Sequence, residues 1–167
     1  MSANKYVSLS SGKLKEVVPA VTSAANAIVA LDSTGHLDVS VLPTGVGPDV
    51  LTMASFENLT AGNFVNYYSN AGTINARKAD ATTNAKPALG FVLANVTAPA
   101  SCTVYLLGSI NTALTGLTVG ADYWLDTTAG GITTTPPSAT GNISQYIGRA
   151  NSTTSIQFIN TSTIEVA

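Results

Sequence analysis

The sequence predicts an all-β protein, a small β-barrel or sandwich preceded by an extended N-terminal arm and a connector. Three observations predict it. From about residue 50 onward, short runs rich in β-branched and aromatic residues recur between turn-forming residues. No helical periodicity of comparable length competes with them. Charged residues make up 10% of the 167 and apolar residues 45%, so Thr, Ser and Asn must cover most of the surface. An average soluble protein has roughly 25% charged residues. High apolar content with low charge is the reverse of a disordered composition.

The arm, residues 1–18, contains "YVSLSSGKLKEV". Tyr6-Val7-Ser8-Leu9 and Leu14-Lys15-Glu16-Val17 alternate around Ser10-Ser11-Gly12, which predicts a hairpin. A lone hairpin is marginal in water and gains order by pairing with another surface. Lys5, Lys13 and Lys15 stand against Glu16 alone, so the arm is locally basic.

The connector spans residues 19–49. Residues 20–31, "AVTSAANAIVAL", leave helix and extended chain both open: five alanines favour a helix, while Asn26 and the β-branched residues oppose it. Leu31-Asp32-Ser33-Thr34-Gly35 reads as a strand end and turn, with Asp32 bonding backbone N–H groups ahead of it. Leu37-Asp38-Val39-Ser40-Val41 alternates, placing Leu37, Val39 and Val41 on one strand face. Pro43, Gly45, Gly47 and Pro48 then form a linker.

The β-domain, residues 50–167, offers Phe64–Tyr68, Leu89–Leu93, Thr103–Leu107, Tyr123–Leu125, Gln145–Gly148 and Ser155–Phe158 as strands. Asn70-Ala71-Gly72, Ala129-Gly130-Gly131 and Pro136-Pro137 supply turns between them.

Several function classes lose support on composition. Seven basic against nine acidic residues give a net charge of −2, with no patch suited to neutralising nucleic-acid phosphates. Cys102 is the one cysteine, so no intrachain disulfide and no Cys/His metal spacing is expected; it reads as a small buried hydrophobe. No cofactor is expected. Met1-Ser2-Ala3-Asn4-Lys5 is polar and no apolar segment follows, so neither a secretory leader nor a membrane span is predicted. The five N-x-S/T sequons at Asn58, Asn95, Asn142, Asn151 and Asn160 carry little weight in a chain so rich in these residues.

Catalytic groupings are equally sparse. His36, the one histidine, follows Gly35 in the predicted turn, and no G-x-S-x-G elbow accompanies it. Asp32 and Asp38 read as turn and outer-face residues. In "GADYWLDTTAGG", Asp122 and Asp126 would share a strand face with Trp124 between them, the minimum a glycosidase would require. Both flank glycine-containing turns, where Asp is common for conformational reasons. Tyr67, Tyr68, Tyr105, Tyr123, Trp124 and Tyr146 read as core or interface residues. The expectation is a non-enzymatic protein.

"IVALDSTGHLDVSVLPTGVG" resembles the Ala-Leu-Asp-x-x-Gly-x-Leu-Asp-x-Ser-x-x-Pro segment of head fibres, capsid decoration proteins and tail fibres of tailed bacteriophages. The stretch from "ENLTAGNFVNYYSNAGTINARKADATTNAKPALGFVLANV" to "ISQYIGRANSTTSIQF" is similar to the β-domain that follows that segment in such proteins. The resemblance runs from about residue 28 to residue 158. It implies a homotrimeric structural protein at the virion surface, bound to the major capsid protein. On this reading Lys5, Tyr6, Leu9, Lys13, Leu14 and Lys15 belong to the capsid-binding arm. Leu31, Leu37, Val39, Val41 and Leu42 belong to trimer contacts, where apolar strand faces find partners across a shared axis. The alternative is a receptor-binding tail-fibre or tailspike module, its aromatic residues contacting a host-surface glycan.

Overall fold

The computed structural model describes residues 6–10, 13–17, 31, 35, 37, 41 and 47–167. Contacts divide the chain into two units, Met1–Gly47 and Pro48–Ala167. The protein is all-β, as predicted, and no α-helix occurs among the described residues.

In the first unit, β1 (Tyr6–Ser10) and β2 (Lys13–Val17) pair antiparallel, from Tyr6 opposite Val17 to Ser10 opposite Lys13. This is the predicted hairpin. Gly35 takes a φ of 84°, a conformation that suits the turn expected there and that only glycine adopts freely. Leu37 lies in irregular backbone and Val41 in a turn of 3-10 helix, and residues 38–40 of the strand predicted over 37–41 lie outside the described residues. Residues 20–30, which left helix or extended chain open, lie outside the described residues.

The second unit begins with β3 (Val50–Ser55), β4 (Phe64–Asn70), β5 (Thr73–Lys78), β6 (Gly90–Phe91) and β7 (Ser101–Tyr105). They close into a barrel in the order β3-β5-β4-β6-β7. β3 runs antiparallel to β7 along its length and parallel to β5 only at Ala54 and Ser55. β4 and β5 form a hairpin in which Asn70 faces Thr73 across the two-residue turn Ala71-Gly72. Both turn residues have positive φ, 49° and 85°, the combination that matches the twist of paired strands.

Alternation along the barrel strands sends side chains to two cores. Met53, Val65, Ala76, Val92, Cys102 and Val104 pack together with Leu59 inside the barrel. The opposite faces of β4, β6 and β7 carry Phe64, Phe91 and Tyr105, which lie opposite one another in register. Ring centroids are 6.0 Å apart for Phe64 and Phe91, and 5.5 Å for Phe91 and Tyr105. Phe158 closes over this row, 5.6 Å from Phe64 and 6.2 Å from Phe91. Each fully buried phenylalanine contributes about 1.5–3 kcal/mol by leaving water.

The remaining strands are short and wrap the outer core: β8 (Ile110–Asn111), β9 (Asp122–Leu125), β10 (Ile132–Thr133), β11 (Ile143–Ser144), β12 (Tyr146–Arg149), β13 (Ile156–Gln157) and β14 (Ile164–Glu165). They form a three-stranded sheet β10-β9-β12 and two pairs, β11-β14 and β13-β8. Tyr123, Leu125, Ile143, Ile147, Ile156 and Phe158 bring their apolar faces onto Phe64 and Phe91.

Two buried amides hold this layer to the barrel. Gln145 is fully buried; its Oε1 accepts from the Ala88 N–H at 2.8 Å and its Nε2 donates to the Ala88 carbonyl at 2.9 Å. Asn111 donates to the Gly62 carbonyl at 3.0 Å and accepts from the Ala113 N–H. Polar groups removed from water in this way must be bonded, and these are.

Candidate functional site

The sheet β10-β9-β12 buries one face and exposes the other. Along β9, Tyr123 and Leu125 turn into the core while Asp122 and Trp124 turn outward. Register across the sheet places Thr133 and Tyr146 on either side of Trp124. The Trp124 and Tyr146 rings meet edge-to-face, centroids 5.7 Å apart and planes at 68°. All three side chains of this row are half-buried.

Arg149 reaches the same face because β12 carries a bulge. Tyr146 and Arg149 are three residues apart and would point to opposite sides of a regular strand. The register slips by one residue between Tyr146 and Gly148, which brings Arg149 opposite Asp122. Gly148 makes the slip feasible with a φ of 153°, and a side chain there would collide with the Gln157 carbonyl.

The result is a small polar network beside the aromatic pair. The Arg149 Nε and one Nη donate to the two oxygens of Asp122, at 2.9 and 3.0 Å. Tyr146 Oη donates to Asp122 Oδ1 at 2.9 Å. The hydrogen bonds from Arg149, and then that from Tyr146, hold the Asp122 carboxyl below its ordinary range. Burial, reinforced by the neighbouring carboxylate, pushes the Tyr146 phenol up. Asp122 is therefore an anion and Tyr146 a neutral donor at neutral pH, and the patch as a whole carries no net charge.

Asp126, which the sequence places on the same face, serves the following turn. Its Oδ1 accepts from the Thr127 hydroxyl and the Thr128 N–H, both at 3.2 Å. The two carboxylates thus have different partners, and neither is positioned by the other.

Two other features are built differently. Arg77 lies 4.1 Å above the Tyr68 ring and is tied to Asn66 and to the Ala85 carbonyl, with Phe56 against the ring at 5.7 Å. That ring face is already occupied by the guanidinium. A cavity of about 420 Å³ opens between Leu93–Val96 and Ser101–Thr103 and reaches Cys102. Burial pushes the Cys102 thiol up, away from the reactive thiolate.

The residues expected to bind a capsid fall partly on described backbone. Tyr6 and Leu9 lie in β1, Lys13, Leu14 and Lys15 in β2, with Leu9 opposite Leu14 and Ser10 opposite Lys13. Lys5 lies outside the described residues, as do Asp32, His36, Asp38, Val39 and Leu42. Of the expected trimer contacts, Leu31 is 57% exposed and Leu37 47% exposed, while Val41 is half-buried. Sequence reasoning named Asp122, Trp124 and Tyr146, the two aromatics as core or interface residues, but did not bring them together and missed Arg149. The one cue was Gly148 inside an otherwise β-like run, a recurrent mark of a bulge. No family model, no curated protein and no solved structure matches this chain.

Proposed function

We propose that the chain is a structural virion protein that decorates or cements a bacteriophage capsid as a homotrimer anchored by its N-terminal arm. The observation that carries this reading is the exposure of Leu31 and Leu37 in the connector. Two large exposed apolar side chains close together in the connector support contacts with further copies. The hairpin supports the anchoring role: two strands alone are marginal, and adding an edge to another sheet supplies backbone hydrogen bonds. The role proposed is non-enzymatic, since both Asp122 and Asp126 are engaged in structural hydrogen bonds.

Quantitative proteomics of purified virions tests the reading. A copy number comparable to the major capsid protein is expected. A few trimers per particle would assign the chain to a tail fibre instead, and absence from the particle would overturn the proposal. Deleting residues 2–18 should abolish binding to shells lacking the protein while leaving trimers intact.

A further inference from the structure

β7 is paired along one edge and almost bare along the other. Hydrogen-bonded and non-bonded pairs alternate along an antiparallel ladder. The Leu106 N–H donates to the Asp49 carbonyl and the Ser55 N–H to the Ala100 carbonyl, both at 2.9 Å. In the same register Ala100, Cys102, Val104 and Leu106 therefore turn their backbone groups toward β3. Those of Ser101, Thr103 and Tyr105 point the other way, toward β6, where Phe91 opposite Tyr105 is the one pair formed. Beyond Phe91 the chain leaves β7. The Val92 N–H donates to the Asn63 carbonyl, its carbonyl accepts from the Gly62 N–H, and Val96 pairs with Leu59. Among the described residues, no backbone hydrogen bond joins residues 92–96 to Ser101 or Thr103.

The barrel wall is thus split over this stretch, and the split is the cavity of about 420 Å³. It far exceeds a single water's share of about 30 Å³ and falls within the roughly 300–1,000 Å³ usual for binding sites. Its β7 wall presents the N–H and C=O groups of Ser101 and Thr103, both exposed residues. Its floor is apolar, made by Val92, Val96 and Cys102 of the barrel core. No charged side chain among the described residues lines it. The Phe91–Tyr105 pair closes one end, and residues 97–100 link the two walls at the other. Beside Ser101–Thr103 there is length for about three extended residues, roughly 10 Å.

We propose that this split receives a short uncharged peptide segment of a partner protein, in extended conformation, with an apolar residue at its centre. The outer two residues of the segment lie opposite Ser101 and Thr103 and bond to their free backbone groups, while their side chains face solvent. The central residue lies opposite Cys102 and turns into the barrel, where a charge would find no partner. The site belongs to the second unit alone and is separate from the N-terminal hairpin.

The test titrates the isotope-labelled full chain with the capped peptide acetyl-Thr-Val-Thr-methylamide, into the millimolar range, and follows the backbone amides by NMR. Saturable shifts are expected at Ser101 and Thr103. Methylating both threonine nitrogens of the peptide removes its donors to β7 and should weaken binding at least about tenfold. A peptide with lysine in place of the central valine should bind at least about tenfold more weakly too. Thr103→Pro deletes an N–H that points away from β3, so the circular dichroism spectrum should be retained while affinity for the peptide falls. Absence of saturable shifts at Ser101 and Thr103 overturns the proposal. Equal binding of the N-methylated peptide does so as well, and would make the split a pocket for small apolar molecules. Shifts at these amides that follow protein concentration without peptide would likewise overturn it and assign the split to contacts between copies.

Discussion

Phe64 and Val65 are neighbours in the chain, both are fully buried, and they lie in different cores. Phe64 packs against Phe91 and Phe158 in the outer core, and Val65 packs with Met53 and Val104 inside the barrel. The start of β4 is therefore a wall with apolar matter on both sides. Phe64→Ala should cost about 3–5 kcal/mol and Val65→Ala somewhat less, by the lost burial and the cavity left behind. Urea unfolding followed by circular dichroism gives both values. Near-additive losses in the double variant would show that the wall insulates one core from the other.

The β4–β5 turn places an alanine where glycine or asparagine is better suited. Ala71 holds a φ of 49° and is exposed, so no packing is lost by changing it. Ala71→Asn creates the Asn-Gly pair favoured in such turns and should stabilise the fold by about 1 kcal/mol. Thermal unfolding would register a rise of several degrees, and a fall would show that the turn geometry is otherwise.

Gln145 satisfies both backbone groups of Ala88 from a fully buried position. Gln145→Leu retains volume but strands an N–H and a C=O away from water. A loss of about 2–4 kcal/mol is expected, with hydrogen exchange rising first at Ala88. A neutral result would mean that water reaches this part of the core.

Asp80 gives the stability a pH dependence. Burial pushes its carboxyl up, but hydrogen bonds from Thr82 and Lys86 together outweigh this and hold it below the ordinary value. A carboxyl depressed in the folded state stabilises above its unfolded pKa, about 3.9, and that contribution disappears as pH falls through the lower folded value. Wild-type protein should therefore lose more stability between pH 7 and pH 3 than Asp80→Asn. Equal acid limbs in urea titrations at the two pH values would remove Asp80 from the account.

The connector provides the test of assembly. Leu37→Asp should weaken trimers in analytical ultracentrifugation, because a charge would enter a contact that offers it no partner. An unchanged sedimentation profile would place Leu37 in solvent in the assembled protein too.

Much of this architecture was legible in the sequence, and the rest was hidden for physical reasons. The runs Phe64–Tyr68, Thr103–Leu107 and Tyr123–Leu125 overlap β4, β7 and β9, because half-buried pleated surfaces select aromatic and β-branched residues. β5, "TINARK", escaped because its alternation rests on Ile74 and Ala76 alone, and four of its six residues are polar or charged. The two-residue strands β8, β11 and β14 are defined by hydrogen bonds to distant segments, which composition does not encode. The same limit concealed the polar network at Trp124: Asp122 was visible as a carboxylate, but only the bulged register of β12 shows that Arg149 stands opposite it. Two cores back to back were also unreadable, since Phe64-Val65 looks like an ordinary apolar pair.

β3 draws its ladder from β7, which begins some 46 residues after it ends, and touches β5 in parallel at only two residues. Closing so distant a ladder is slow, since long loops must be ordered before any hydrogen bond rewards them. Until that happens, Val50 and Leu51 belong to a sticky, unpaired ribbon, and they stay 45% and 39% exposed even afterwards. Production of this protein is thus a race between ring closure within one molecule and adhesion between several. Dilution and slow synthesis should favour the former, and crowded, rapid overexpression should yield inclusion bodies.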